Sequence, residues 1–360
     1  MNRLVLIGNG FDLAHGLKTS YKDFIYWYWK QRVLSLRNFR GKTSDDGLCK
    51  FTILAYDSWY DLFFYNQVKI SFVEDKDFFD VTKNKEAFGI EYSPLFERIH
   101  KSIETKGWVD IENEYYSLLV LLYSHVEDNY LNHNKQLDYL RDLLIKYLSQ
   151  INYDLLLKKD STIEEHIFAE LDPWREYSYA DRNLYQTNTT YDILEKVMLL
   201  SFNYTKTPEL YKNSDTVINY IHGRLDDPNS VIFGYGDELD DGYKKLRDKN
   251  DNECLKNMKS IKYLESDNYR KVLEFIESSP FQICIMGHSC GNSDRTLLNT
   301  LFEHRNCVSI KPYYYIKDDG TDNYLDLTMN ISRNFTDMKL MRDRVVNKEY
   351  CEPLTNRKNN

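Results

Sequence analysis

No two cysteines of this 360-residue sequence stand in a C-x-x-C spacing, and no two histidines form H-x-x-x-H or H-E-x-x-H. These absences speak against a zinc ribbon or a zincin-type site, so no metal is expected. The six cysteines, Cys49, Cys254, Cys284, Cys290, Cys307 and Cys351, are too sparse for a disulfide scaffold and fit free thiols in a reducing compartment. An excess of positive charge is also missing. The net charge is −9, which gives no strong nucleic-acid signal, because neutralising phosphates takes clustered Lys and Arg. The early apolar run "LVLIG" is too short for a membrane span or a signal-peptide core. No membrane contact and a cytoplasmic location are therefore expected. Internal repeats and low-complexity segments are absent too.

What is present is a globular composition, 42% hydrophobic and 29% charged, rich in Tyr (30) and Phe (18). Such a chain can form a core, with helices packed through aromatic faces. Residues 4–7 are β-prone and stop at Gly8, as a buried parallel strand feeding a tight loop would. From Ser20 to about Glu195 the texture changes. "YKDFIYWYWKQRVLSL", "PLFERIHKSIETKG", "IENEYYSLLVLLYSHVE" and "NKQLDYLRDLLIKYLSQI" repeat apolar residues every three to four positions and read as helices. In "WVDIENEY" the acids Asp110, Glu112 and Glu114 suit a helix start.

After about Val197 strand patterns return: "VMLLSFNYT", "VINYIHGRL", "SVIFGYGDE", "FQICIMGHS" and "CVSIKPYYYI". Helical patterns, "NYRKVLEFIESS" and "SDRTLLNTLFEHR", lie among them. The alternation predicts an α/β fold with a parallel, Rossmann-like sheet interrupted by a large helical insertion. The expected organisation is a nucleotide-binding domain at 1–20 plus 195–318, the insertion at 21–194, and a polar extension at 319–360.

Ligands of open parallel sheets bind at the carboxyl ends of the strands. The loops there are "GNGFD", "FNYT", "IHG", "FGYGDE" and "GHSCGNSD", which share Gly with Asn, Asp, His or Ser. "IGNGFDLAHG" is not G-x-G-x-x-G, because Leu13 takes the third glycine position. Either the amides of Asn9, Gly10 and Phe11 face a diphosphate, or the loop is a tight strand-to-helix turn capped by Asp12. Asn203 and His222 end neighbouring strands and can meet in one pocket. Gly223 behind His222 admits a ligand close to the backbone.

Gly287-His288-Ser289-Cys290-Gly291 satisfies G-x-S-x-G, the nucleophile elbow of serine hydrolases. That mechanism needs a histidine after the serine, and the sole candidate, His304, ends the helix that the elbow would begin. A serine hydrolase is thus the weaker reading.

"LIGNGFDLAHGLKTSYKDF", "WVDIE", "FNY", "HG", "FGYGDE" and "GHSCGNSD", in this order, resemble the AbiH family of bacteriophage abortive-infection proteins, up to about residue 305. The same skeleton resembles the sirtuin-like (DHS-like) NAD-binding fold. There a G-A-G-x-S loop and G-I-P segment match residues 8–12 and Gly16-Leu17. An N-Y motif matches Asn203-Tyr204, H-G matches His222-Gly223, a strand-end F-G matches Phe233-Gly234, and G-x-S matches Gly287-His288-Ser289. The chain departs from sirtuin deacylases in lacking their cysteine zinc module and Phe-Arg segment, and in carrying Thr205 where they have Asp.

The resemblance therefore implies phage defence rather than deacylation. It implies an NAD glycohydrolase-like hydrolase with NAD as substrate or ligand and no further cofactor. Asn203 and His222 would be the catalytic pair. Gly8, Asn9, Gly10, Phe11, Asp12, Tyr204, Gly223, Gly234, Gly287, His288, Ser289 and Asp294 would contact the nucleotide, with Ser289 a contact and not a nucleophile. The partners expected are that nucleotide, a phage-derived trigger protein and further copies of the chain. The competing class is a non-catalytic nucleotide-sensing module.

Overall fold

The apolar run at residues 4–7 feeds two cores at once. Leu4 and Leu6 pack with Met198, Leu200, Ile283 and Ile285, whereas Val5 and Ile7 pack with Val197, Leu199, Cys284 and Met286. All four side chains are fully buried, each contributing roughly 1.5–3 kcal/mol. Burial on both faces is why the stretch is continuously apolar instead of alternating.

The structure is a computed structural model that describes residues 1–38, 43–54, 74–123, 130–182 and 193–356. Its strands are β1 (Asn2–Ile7), β2 (Thr43–Asp45), β3 (Cys49–Ile53), β4 (Phe88–Tyr92), β5 (Lys196–Ser201), β6 (Thr216–Tyr220), β7 (Phe281–Met286) and β8 (Cys307–Tyr313). Five of them form an all-parallel sheet in the order β6-β5-β1-β7-β8, with β1 at the centre. The register pairs Ile7 with Ser201 and Ser201 with Tyr220, so these strands end along one edge. The protein is thus an α/β protein built on a parallel five-stranded sheet.

The chain divides into two compact units. One comprises Met1–Lys18, Ile151–Asn250 and Asn257–Asn360, and the other Thr19–Gln150 with Asp251–Lys256. The first holds the parallel sheet. Helices Asn268–Ser278, Arg295–Phe302 and Tyr324–Arg333 cover the face of Leu4 and Leu6, and helix Ser161–Phe168 covers the other through Ile163 and Ile167.

Two expectations are corrected in this unit. "SVIFGYGDE" is no strand. Val231, Ile232, Phe233 and Tyr235 are buried, but the Ile232 N–H donates to the His222 carbonyl and the Tyr235 N–H to that of Asn257, so the run reflects burial without a ladder. The stretch after residue 318 is not merely a polar extension. Helices Tyr324–Arg333 and Met338–Arg344 form there, and Leu327 and Ile331, four residues apart, enter the core.

In the second unit, β2, β3 and β4 form an antiparallel sheet in a region whose pattern suggested only helices. Helices Tyr21–Asn38, Pro94–Lys106, Ile111–Tyr123 and Tyr130–Ser149 lie on the expected patterns. Ser93 caps one of them, accepting from the Phe96 N–H, and Pro94 opens it. Aromatic contacts tie helix to helix, with the rings of Tyr28 and Phe96 4.7 Å apart and those of Trp29 and Phe96 6.0 Å apart. Among the described residues no helix is long and apolar enough to cross a membrane.

His100 sits among Trp29, Phe79 and Tyr92, and His133 stacks on Tyr115 at 4.5 Å. Burial, with nearby Lys83, pushes His100 down to about 4; burial likewise pushes His133 down to about 4, against its bond to the Tyr115 carbonyl. Below pH ~6.5 the unfolded chain takes up these protons while the folded unit refuses them. Stability is therefore complete above pH ~6.5 and falls as the pH drops toward 4, by roughly 2–3 kcal/mol per histidine. Urea unfolding of His100→Phe and His133→Phe at pH 7.5 and 4.5 checks this. Each variant should lose less stability than the native protein on acidification, and an equal loss would refute the assignment.

Candidate functional site

The loops after β1 and β7 are pressed together. A side chain on Gly287, whose φ is +72°, would place its Cβ 2.1 Å from the Phe11 nitrogen, and one on Gly8 would reach 2.5 Å from the His288 Cα. The glycines here serve contact between two loops. The Gly10 N–H donates to the Gly287 carbonyl at 2.8 Å and the Phe11 N–H to the Gly8 carbonyl at 2.9 Å. These two amides are consumed within the chain, so the expectation that they face a diphosphate is not met. Phe11 itself is buried in the core.

Asp12 is not the helix cap either. Helix Asn9–Ala14 starts after Gly8, which places Asp12 inside its first turn, buried. Its carboxylate accepts the Thr205 hydroxyl at 3.0 and 2.8 Å. Nearby, Asn203 Nδ2 donates to the Gly8 carbonyl at 2.9 Å. Burial pushes the Asp12 carboxyl up to about 6, against the bonds from Thr207, Thr205 and Asn203. The folded state therefore holds this proton more tightly than the unfolded state. Stability falls as pH rises from about 4 to 6, and the cost, roughly 2–3 kcal/mol, is complete above pH 6. Asp12→Asn should accordingly stabilise the protein at pH 7.5 by about 1–3 kcal/mol and leave it nearly unchanged at pH 4. Urea titrations at the two pH values measure this, and destabilisation at pH 7.5 would show that the ionised carboxylate is well solvated.

A second cluster joins β6 to the β7 loop. His222 Nε2 lies 3.2 Å from Asp294 Oδ1 and 3.2 Å from the Tyr263 hydroxyl. Lys259 Nζ lies 2.8 Å from the same Oδ1, and His288 Nε2 3.7 Å from Oδ2. The Phe202 ring meets both imidazoles, at 5.3 Å from His222 and 4.1 Å from His288. Lys259, Asp294, His222, His288 and Tyr263 are all buried. Burial and the Lys259 charge hold His222 below the usual histidine range. Burial works against ionising Asp294, yet Lys259 and His222 hold it well below the carboxylate range. The product is a neutral imidazole beside an ionised carboxylate, an arrangement suited to taking up a proton.

Gly8 links the clusters, since its carbonyl accepts from Asn203 and its Cα faces His288. Four of the residues expected at the nucleotide have neighbours within the chain. Gly223 (φ +83°) accommodates the Ser230 carbonyl, 2.1 Å from where a Cβ would sit, rather than a ligand. Gly234 packs likewise on the Asn257 carbonyl. The Tyr204 hydroxyl donates to the Ile232 carbonyl at 3.0 Å. Ser289 is exposed, and its carbonyl accepts from Asn330 Nδ2. His304 contacts Glu277 at 3.2 Å, while His222 and His288 turn their Nε2 to Asp294. These three histidines thus have their Nε2 directed to carboxylates rather than to Ser289.

The motifs did not single out Lys259 or Tyr263, and Phe202 stood inside the FNY motif without a role. Lys259 is flagged by no spacing, because "MKSIKYLE" reads as an ordinary charged helix.

Comparison with known families decides the lineage. The family model "Bacteriophage abortive infection AbiH" matches residues 4–315. The chain belongs to the AbiH family. The match runs from within β1 to just past β8 and so includes both clusters of this AbiH protein. No curated protein matches the chain. Family membership places it in abortive-infection defence against bacteriophage.

Proposed function

We propose that this AbiH protein binds NAD or a related nucleotide at the carboxyl ends of β1, β5, β6 and β7 and hydrolyses NAD at the nicotinamide–ribose bond. The carrying observation is the buried Lys259–Asp294–His222 cluster, with Asn203 one loop away. Burying two charges and two imidazoles sacrifices stability unless the group has work to do, so such clusters are candidates for function.

Cleavage passes through an oxocarbenium-like ribose, and nicotinamide leaves neutral, so no strong general acid is required. Water adds to the anomeric carbon as the bond to the nicotinamide nitrogen breaks. His222 Nδ1 takes the proton that the water loses, giving nicotinamide, ADP-ribose and a proton later released to solvent. Asn203 has committed Nδ2 to Gly8, so it meets the water or a ribose hydroxyl as an acceptor through Oδ1. Ser289 takes the diphosphate and adenosine side, and the Tyr204 ring serves as a wall.

A sensing module without turnover is the second reading. It is favoured by the internal use of the Gly10 and Phe11 amides and of Asn203 Nδ2. Calorimetric titration with NAD, followed by chromatography of the incubated mixture, separates the two. Heat of binding with nicotinamide release supports hydrolysis, and binding without release supports sensing. Absence of binding by the native protein would remove the nucleotide from both readings.

A further inference from the structure

Only 1% of Lys259 is exposed, and a buried ammonium is tolerated only beside an anion. Its partner Asp294 receives three nitrogens: Lys259 Nζ at 2.8 Å and His222 Nε2 at 3.2 Å on Oδ1, and His288 Nε2 at 3.7 Å on Oδ2. The backbone fixes the tautomer of His288. The Cys290 N–H donates to its Nδ1 at 3.0 Å, so the proton of the neutral ring sits on Nε2, toward Asp294.

The same reasoning reaches His222. A lone pair on Nε2 would face the carboxylate oxygen and repel it, whereas an N–H there is attracted. The Tyr263 hydroxyl, 3.2 Å from the same nitrogen, can accept from that N–H too. The groups packed on the ring are Asp294, Lys259, His288, Tyr263 and Phe202, and its polar contacts run through Nε2.

We propose that Lys259 and Asp294 are positioning residues for His222: Lys259 fixes the Asp294 carboxylate, Asp294 accepts from His222 Nε2, and Nδ1 is thereby the nitrogen that takes a proton from a bound ligand or water. This rests on reading His222 as the base, and its test uses no turnover. Lys259 has a second effect. Its charge, together with burial, keeps the imidazole neutral, while Asp294 pulls the other way. Removing the ammonium relieves the repulsion and leaves the carboxylate to an imidazolium, so the His222 midpoint must rise.

Long-range proton–nitrogen NMR of the full chain labelled with 15N-histidine reads both properties, with no nucleotide added. His222 is assigned by the signal lost in His222→Gln. The native protein should show the Nε2–H tautomer at neutral pH. In Lys259→Met the His222 midpoint should move upward, by more than that of His304, which lies outside the cluster. Lys259→Arg, which keeps the charge, should leave it near the native position. Tyr263→Phe should leave the tautomer unchanged, since Asp294 holds it.

An Nδ1–H tautomer in the native protein, a switch of tautomer in Tyr263→Phe, or an unmoved midpoint in Lys259→Met would each overturn the proposal. If Lys259→Met fails to fold, the native tautomer and the Tyr263→Phe spectrum still decide. The expected spectra in a chain that binds no NAD would leave the positioning intact and remove only the reaction.

Discussion

Asp294→Ala should lower the stability of the parallel-sheet unit by about 3–5 kcal/mol. The carboxylate lies 2.8 Å from Lys259 Nζ, and it also takes the Nε2 of His222 and His288. Removing it takes this counter-charge away from an ammonium in a site that water scarcely reaches. The lysine must then lose its proton or draw water into the core, and both are costly. The same logic gives the double variant Lys259→Met/Asp294→Leu a smaller loss than Asp294→Ala alone, because the buried ammonium is removed together with its counter-charge and only the neutral Nε2–H groups of His222 and His288 lose their acceptor. Urea unfolding of the native protein and both variants checks the pair of statements. A loss below about 1 kcal/mol for Asp294→Ala would mean that solvent already reaches the cluster.

The second large effect is on defence. His222→Gln keeps an N–H donor toward Asp294 but supplies no base near neutral pH. A positioned base typically contributes about 10²–10⁴-fold in rate, so the variant should abolish phage-induced growth arrest while the protein accumulates to its normal level. Asn203→Ala should do the same, since it removes the Oδ1 acceptor. It also removes one of the two donors to the Gly8 carbonyl, so soluble protein level is measured beside growth arrest. Arrest that persists at normal protein levels in both variants would place the active groups elsewhere.

The parallel sheet was legible because burial on both faces leaves short apolar runs with polar ends, as at residues 4–7 and 281–286. With β5 and β6 adjacent in the sheet, Asn203 and His222 follow neighbouring strands, as their positions suggested. What approaches each glycine was not legible. Gly8, Gly10, Gly223 and Gly234 looked like places for a ligand, yet each faces backbone of its own chain, and a sequence does not tell one neighbour from the other. The run at 231–235 misled because burial alone demands apolar residues, whatever their backbone bonds. The antiparallel sheet escaped notice because β3 and β4 are five residues each and lie 35 positions apart. Lys259 was hidden for a related reason: its partner Asp294 is 35 residues away, and only the fold reveals that the charge is buried.

The most direct measurement is cellular NAD by mass spectrometry during phage infection, in cells carrying the native chain, His222→Gln or Asn203→Ala. Hydrolysis at the His222 site requires NAD to collapse in infected cells with the native chain and to hold at the uninfected level in both variants. Constant NAD in protected native cells, or an equal fall in all three strains, would contradict it.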